Sequence, residues 1–307
     1  MNAIAISGLS KSYFHHQVLD NIGLTIPDGS IYGLLGQNGA GKTTLIRIIT
    51  RILTADSGDV LFKGELLSEF HTKRMGYMPE ERGLYKKMKV GEQLVYLGRL
   101  KGLTRLDARS FTKDWLQRLG LSEWEKHTVE ELSKGMQQKI QFIATVLHKP
   151  DFIILDEPFS GFDPVNAALL TQEILNLRKN GATILFSTHR MENVEELCDD
   201  FAILHKSKIV LEGDKSALKQ RGQKGFYSIV LEGELNEVPN VFAIVEKKHL
   251  SDGITSGTIQ KCKEEINGNF ILQTLLTQGR IIEFKEKTPS VGEIFIQYVS
   301  SRSSSHE

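Results

Sequence analysis

The sequence predicts an α/β protein: a mostly parallel sheet, an antiparallel β subdomain and a helical insertion, followed by a small α+β domain. Three observations carry that expectation. Apolar runs at Ile31 to Leu35, Phe152 to Leu155 and Thr183 to Phe186 have the length and composition of buried strands. A helical stretch from about Pro164 to Lys179 separates the second run from the third, which is the alternation of a parallel α/β sheet. Between the first and second, from about Gly91 to Leu147, the spacing turns helical: Phe111, Trp115 and Leu119 fall four apart, and Gly120 follows as a helix C-cap.

Taken in order, Ile4 and Ile6, Val18 to Ile26 and Asp59 to Phe62 read as short strands. Asp28-Gly29 and Ser57-Gly58 are the turns between them, so these segments form the antiparallel subdomain. Met75 to Met78 is a further strand, ended by Pro79. Phe201 to Leu211, broken at His205-Lys206-Ser207-Lys208, reads as a hairpin. Beyond Gly213, strands are expected at Phe226 to Leu231, Val241 to Glu246 and Arg280 to Phe284. Helices are expected at Glu264 to Gln278 and Ser290 to Val299. The domains are therefore 1–213, with the insertion at about 86–147, and 214–299; the serine-rich 300–307 reads as a disordered tail.

Composition removes several classes. Lys+Arg and Asp+Glu both number 38 in 307 residues, so nothing global points to nucleic acid or to an anionic surface. Cys198 and Cys262 lack metal-ligand spacing and suggest no disulfide framework, as in a reducing compartment. The first residues lack the basic start and apolar core of a signal peptide, and no apolar run approaches the roughly 18 residues that cross a bilayer. Any membrane role is expected to come through another chain.

Gly36-Gln37-Asn38-Gly39-Ala40-Gly41-Lys42-Thr43-Thr44 fits the phosphate-binding pattern G-x-x-x-x-G-K-[ST]. A buried strand precedes it, and Leu45, Ile48, Ile49 and Ile52 follow at helical spacing, the context that distinguishes this motif from a chance match. Glycines let successive N–H groups turn inward, and the helix N-terminus adds positive potential. Lys42 can reach the β- and γ-phosphates, and the Thr43 hydroxyl can bind Mg²⁺. The loop alone leaves kinases, GTPases, motors and transport ATPases open. Phe152-Ile153-Ile154-Leu155-Asp156-Glu157-Pro158 narrows the choice. A buried strand there ends in a carboxylate able to hold the Mg²⁺ hydration shell, Asp156, followed by a second, Glu157, able to polarise an attacking water.

With Leu132-Ser133-Lys134-Gly135-Met136-Gln137-Gln138-Lys139 about twenty residues earlier, the sequence resembles the nucleotide-binding subunits of ABC transporters. This stretch is similar to the family's LSGGQ signature, with Lys134 and Met136 substituted. The resemblance implies that Ser133 and Gly135 close over the γ-phosphate held by an opposite subunit, as a helix N-terminus binds an anion. It places Tyr13 against the adenine, Ser160-Gly161-Phe162-Asp163 in the D-loop and His189, after Ser187-Thr188, as the switch histidine. Glu80 stands where most members carry a glutamine, and its carboxylate can ligate Mg²⁺ while adding negative charge near the phosphates.

Tyr77-Met78-Pro79-Glu80-Glu81-Arg82-Gly83-Leu84-Tyr85 and the closing Thr288-Pro289-Ser290-Val291-Gly292-Glu293-Ile294-Phe295 resemble the ABC-2 exporter branch that includes sodium-extruding pumps. The resemblance implies ATP and Mg²⁺ as ligands and a homodimer or heterodimer of nucleotide-binding subunits. It further implies a separate transmembrane permease, no nucleic acid, and a peripheral place on the cytoplasmic face of the membrane. Sodium, a drug, a lipid or a peptide are all compatible cargoes. A soluble ABC ATPase without a transport role and a nucleotide-dependent regulator are the other readings. His15-His16 reads as a solvated loop, Trp115 and Trp124 as packing residues, and Lys86-Lys87-Met88-Lys89 as a solvated basic turn beside the region where the family meets its permease.

Overall fold

A computed structural model describes residues 1–295 apart from 82, 222–224, 252 and 288–289, so the expected tail lies outside the described residues, as does the end of the last expected helix. By contacts the chain divides into two units, Met1–Lys215 and Ser216–Glu307.

In the first unit, β1 (Asn2–Tyr13) and β2 (His16–Pro27) form a long hairpin, followed by β3 (Ile31–Leu35) and α1 (Lys42–Ile49). Next come β4 (Ser57–Phe62), β5 (Glu65–Leu66), α2 (Glu69–Thr72) and β6 (Met75–Met78). The helical insertion holds α3 (Val90–Leu100), α4 (Arg105–Arg118) and α5 (Lys134–Val146). Then follow β7 (Phe152–Asp156), α6 (Pro164–Lys179), β8 (Thr183–Thr188), α7 (Met191–Leu197), β9 (Asp200–His205) and β10 (Lys208–Asp214). The insertion is less continuous than its periodicity suggests. Gly120, at φ 68°, ends α4, and only two short 3₁₀ turns, Ser122–Trp124 and Val129–Glu131, lie before α5.

The antiparallel sheet has the order β2-β1-β4-β5, and the main sheet β10-β9-β3-β8-β7-β6. Strands β9, β3, β8, β7 and β6 run parallel, and β10 closes the edge as a hairpin with β9. All five residues of β3 and of β7 are buried, as a sheet covered on both faces requires. Helix α1 turns Leu45, Ile46, Ile48 and Ile49 into the core shared with Leu19, Ile22 and Leu24 of β2. At about 2 kcal/mol for each buried aliphatic side chain, that face fixes the start of α1 firmly.

Helix α8 (Lys215–Arg221) starts at the last residue of the first unit, and the second unit continues with β11 (Phe226–Gly233), β12 (Phe242–Ser251), β13 (Ile254–Lys261), α9 (Gly268–Leu275) and β14 (Gly279–Glu286). The sheet order is β12-β13-β11-β14. Tyr227, Ile229 and Leu231 alternate inward against Ile271 and Leu275 of α9. Two features differ from the sequence expectation. Strand β13 went unread because Thr, Ser and Gly separate Ile254 from Ile259, yet Thr255 is buried and donates to the Gly233 carbonyl at 2.8 Å. Helix α9 begins at Gly268 rather than Glu264, since Asn267 is the N-cap, its side chain accepting from the Phe270 N–H at 2.9 Å.

Candidate functional site

The register of the parallel strands gathers the expected chemistry at one edge. Leu35, the last residue of β3, pairs with Thr188 of β8; Asp156 at the end of β7 pairs with Ser187; Met78 at the end of β6 pairs with Leu155. The glycine loop, the two acids, His189 and Glu80 therefore leave neighbouring strands at their carboxyl ends, where α/β sheets bind ligands.

The loop from Gly36 to Gly41 is shaped by close approaches. Gly41 has φ 111°, and a Cβ there would lie 2.7 Å from the Val18 carbonyl oxygen; one on Gly36 would lie 2.6 Å from that of Leu204. Side chains would close the cradle at both ends, which is why these positions carry glycine. Between them Gln37, Asn38, Gly39 and Ala40 form the tip, with the Ala40 N–H donating to the Gln37 carbonyl at 3.1 Å. Thr44 continues α1.

Lys42 is buried, and its ammonium donates to the Gly36 carbonyl at 2.7 Å and to that of Gln37 at 3.3 Å. Burial pulls its pKa down, while Glu157, Asp156 and Glu80 nearby pull it up. The Thr43 hydroxyl donates to Asp156 at 3.3 Å. Burial pushes the Asp156 carboxyl up, and the charges of Glu80 and Glu157 push the same way. A cationic ligand would relieve this crowding of acids, so the residues present fit a divalent ion: Thr43 and Asp156 would hold it, with Glu80, exposed on its loop, as a third donor.

Glu157 follows β7 at φ 49°, a left-handed backbone that is strained for a non-glycine residue. Its own N–H donates to the Ser187 carbonyl at 3.0 Å. Its carboxylate accepts from the His189 N–H at 2.8 Å and the Thr188 hydroxyl at 3.2 Å, and lies 2.6 Å from His189 Nδ1. Thr188 was not singled out from the sequence; its buried place at the end of β8 gives it this role.

Tyr13 is exposed at the end of β1 and pairs with His16 across the hairpin. Val18, two residues beyond His16, brings β2 against Gly41. Ser133 caps α5, its hydroxyl accepting from the Met136 N–H at 3.3 Å. Gly135 faces the Phe162 ring, and Asp163 caps α6 through the Asn166 N–H at 2.9 Å. Neither Ser133 nor Gly135 hydrogen-bonds to the glycine loop among the described residues. Gln141 is a residue the sequence reading missed: its buried amide donates to the carbonyls of Pro79 at 2.7 Å and Glu81 at 3.2 Å, on either side of Glu80. A glutamine on the core face of a helix is the one signal that marked it.

A mostly parallel sheet with a lysine-bearing glycine loop at the end of β3 and paired acids at the end of β7, one strand away across β8, defines a P-loop nucleoside triphosphatase. A family model described as ABC transporter matches residues 19–160, and one described as ATP-binding protein DrrA1-3-like, C-terminal domain, matches residues 213–299. The chain is 42% identical over 298 residues to the uncharacterized ABC transporter ATP-binding protein YhaQ of Bacillus subtilis (strain 168), covering 97% of this chain and 99% of that one. It is 32% identical to the linearmycin resistance ATP-binding protein LnrL of the same organism, covering 69% of this chain and 70% of LnrL. A solved structure of the ATP-binding subunit of an ABC transporter superposes with a TM-score of 0.67 at 28% identity, over 71% of this chain and 92% of that one. The chain belongs to the ABC transporter ATP-binding proteins, ATPases whose hydrolysis is coupled to transport, in the exporter branch. No helix among the described residues is long and apolar enough to cross a membrane.

Proposed function

We propose that this chain binds and hydrolyses ATP as one half of a closing pair and thereby drives a separate transmembrane permease at the cytoplasmic face of the membrane. The observation that carries the reading is the convergence of Lys42, Thr43, Asp156 and Glu157 at one edge of the main sheet, while Ser133 and Gly135, at the start of α5, make no hydrogen bond to that loop among the described residues. The site is half complete within one chain. The signature loop of a second nucleotide-binding subunit, identical or not, supplies the missing donors.

In this reading the loop amides and Lys42 hold the phosphates, and Tyr13 carries the adenine. A bound Mg²⁺ supplies charge neutralisation on the phosphate oxygens. Glu157 orients the attacking water and takes its proton as the new bond to the γ-phosphorus forms and the bond to the leaving oxygen breaks. His189 holds the Glu157 carboxylate in place. ATP gives both halves something to grip; its loss lets them part, a switch driven by differential contacts in two states.

Glu157→Gln in the presence of MgATP should accumulate a dimer on gel filtration. Monomer alone, with hydrolysis intact, overturns the reading. Sodium is the cargo favoured by the resemblance of Tyr77 to Tyr85 to sodium-extruding pumps. The name of LnrL favours a drug as the second reading. Uptake into inverted vesicles holding both subunits separates the two.

A further inference from the structure

A chain of zero formal net charge carries, in its helical insertion, a groove lined by six exposed cations: Lys89, Arg99, Arg105, Arg109, Lys113 and Lys126. Three of them, Arg105, Arg109 and Lys113, recur every four residues and so stack along one face of α4. Like charges at that spacing repel, and helices ordinarily interleave acids to relieve them. Here Asp107 is turned to the helix start, where it meets Thr104, and Asp114 does not line the groove. The acids that do line it, Glu92 and Glu125, leave four positive charges in excess, and none of the six cations is ion-paired among the described residues.

Apolar groups stand beside this charge. Leu100 and Leu106 are 62% and 79% exposed, each next in sequence to one of the arginines, Arg99 and Arg105, where α3 turns into α4. Tyr96, exposed on the groove wall, meets exposed Tyr85 edge to face at 6.3 Å. Cations that seek anions, flanked by leucines and tyrosines free to enter an interfacial layer, are the chemistry of a surface that rests on acidic lipid. An acidic protein segment would have to bring its own apolar face to cover the two leucines, whereas a bilayer offers headgroup charge and an apolar layer together.

The geometry points to the groove between α3 and α4 as a docking surface for the anionic phospholipid headgroups of a bilayer, a contact of this chain with the membrane additional to its permease. It needs family membership alone and does not depend on the roles proposed for Glu157 or Ser133.

Full-length protein is floated with vesicles of phosphatidylcholine or of phosphatidylcholine mixed with phosphatidylglycerol. The wild type is expected to bind the mixed vesicles only, and less as salt rises. Arg105→Glu, Arg109→Glu and Lys113→Glu together should weaken that partition at least about tenfold while basal ATPase activity is unchanged. The corresponding glutamine variant should fall between, which separates lost attraction from lost folding. Lys247→Glu, Lys263→Glu and Lys285→Glu, an equal change of charge in the other unit, should bind as the wild type does. Equal binding by the groove variant, equal loss in the control, or binding without preference for phosphatidylglycerol overturns the proposal. So does a groove variant that keeps its vesicles but loses a co-purifying permease.

Discussion

One oxygen of Glu157 is held by two groups of His189: Oε1 accepts the His189 backbone N–H at 2.8 Å and lies 2.6 Å from its Nδ1. The residue proposed to handle the attacking water is thus oriented by the residue proposed to sense the phosphate. His189→Ala should lower kcat at least about tenfold with a much smaller change in KM, because it removes an orienting contact and leaves the phosphate cradle intact. A change confined to KM would place His189 in binding.

The charge of Glu80 reaches both Lys42 and Asp156. Glu80→Gln should raise the Mg²⁺ concentration for half-maximal ATPase activity by about three- to tenfold, since one anionic donor is lost. An unchanged Mg²⁺ titration, with unchanged hydrolysis and coupling, would make the carboxylate incidental.

Gln141 straps the carbonyls on both sides of Glu80 to the helix that Ser133 caps, and its own carbonyl accepts from the Thr145 hydroxyl, one turn on, at 2.9 Å. Gln141→Ala should free those carbonyls and speed amide exchange at Glu80 and Glu81 about tenfold, consistent with losing buried hydrogen bonds of about 1–2 kcal/mol. Unaltered exchange would show that the loop is held by other contacts.

Burial pushes the His148 imidazole down to about 4 from an ordinary 6.5, with the Lys101 ammonium adding to the effect. Its Nδ1 is buried without a partner among the described residues, and its Nε2 lies 3.2 Å from the Met75 carbonyl oxygen. The unfolded chain therefore takes up a proton that the folded one refuses. Stability from this residue is complete above pH 6.5 and is lost as pH falls toward 4. Urea titrations at pH 7.5 and pH 5 should show a loss that His148→Gln reduces by about 2 kcal/mol. Equal losses in both proteins would assign the acid sensitivity to other groups.

The buried runs at Ile31 and Phe152 announced the sheet because strands covered on both faces must be continuously apolar, and the glycine loop announced its shape because a Cβ at Gly36 or Gly41 would strike a backbone carbonyl. Strand β13 stayed hidden since its burial depends on neighbours far along the chain, here Tyr227 and Leu231 on β11. The basic turn at Lys86 to Lys89 read as solvated, and only the packing of α3 with α4 put Lys89 into a groove with five other cations.

By itself the sequence determined which residues could bind phosphate, hold a metal and handle water, because those capacities belong to side-chain chemistry and short-range spacing. The tertiary structure decided which of them stand together. Pairing of Leu35 with Thr188 and of Asp156 with Ser187 sets the loop, the acids and His189 on adjoining strand ends, and Gln141 ties Glu80 to the signature helix. Register and packing join residues from tens to more than a hundred positions apart, and no local pattern encodes that distance.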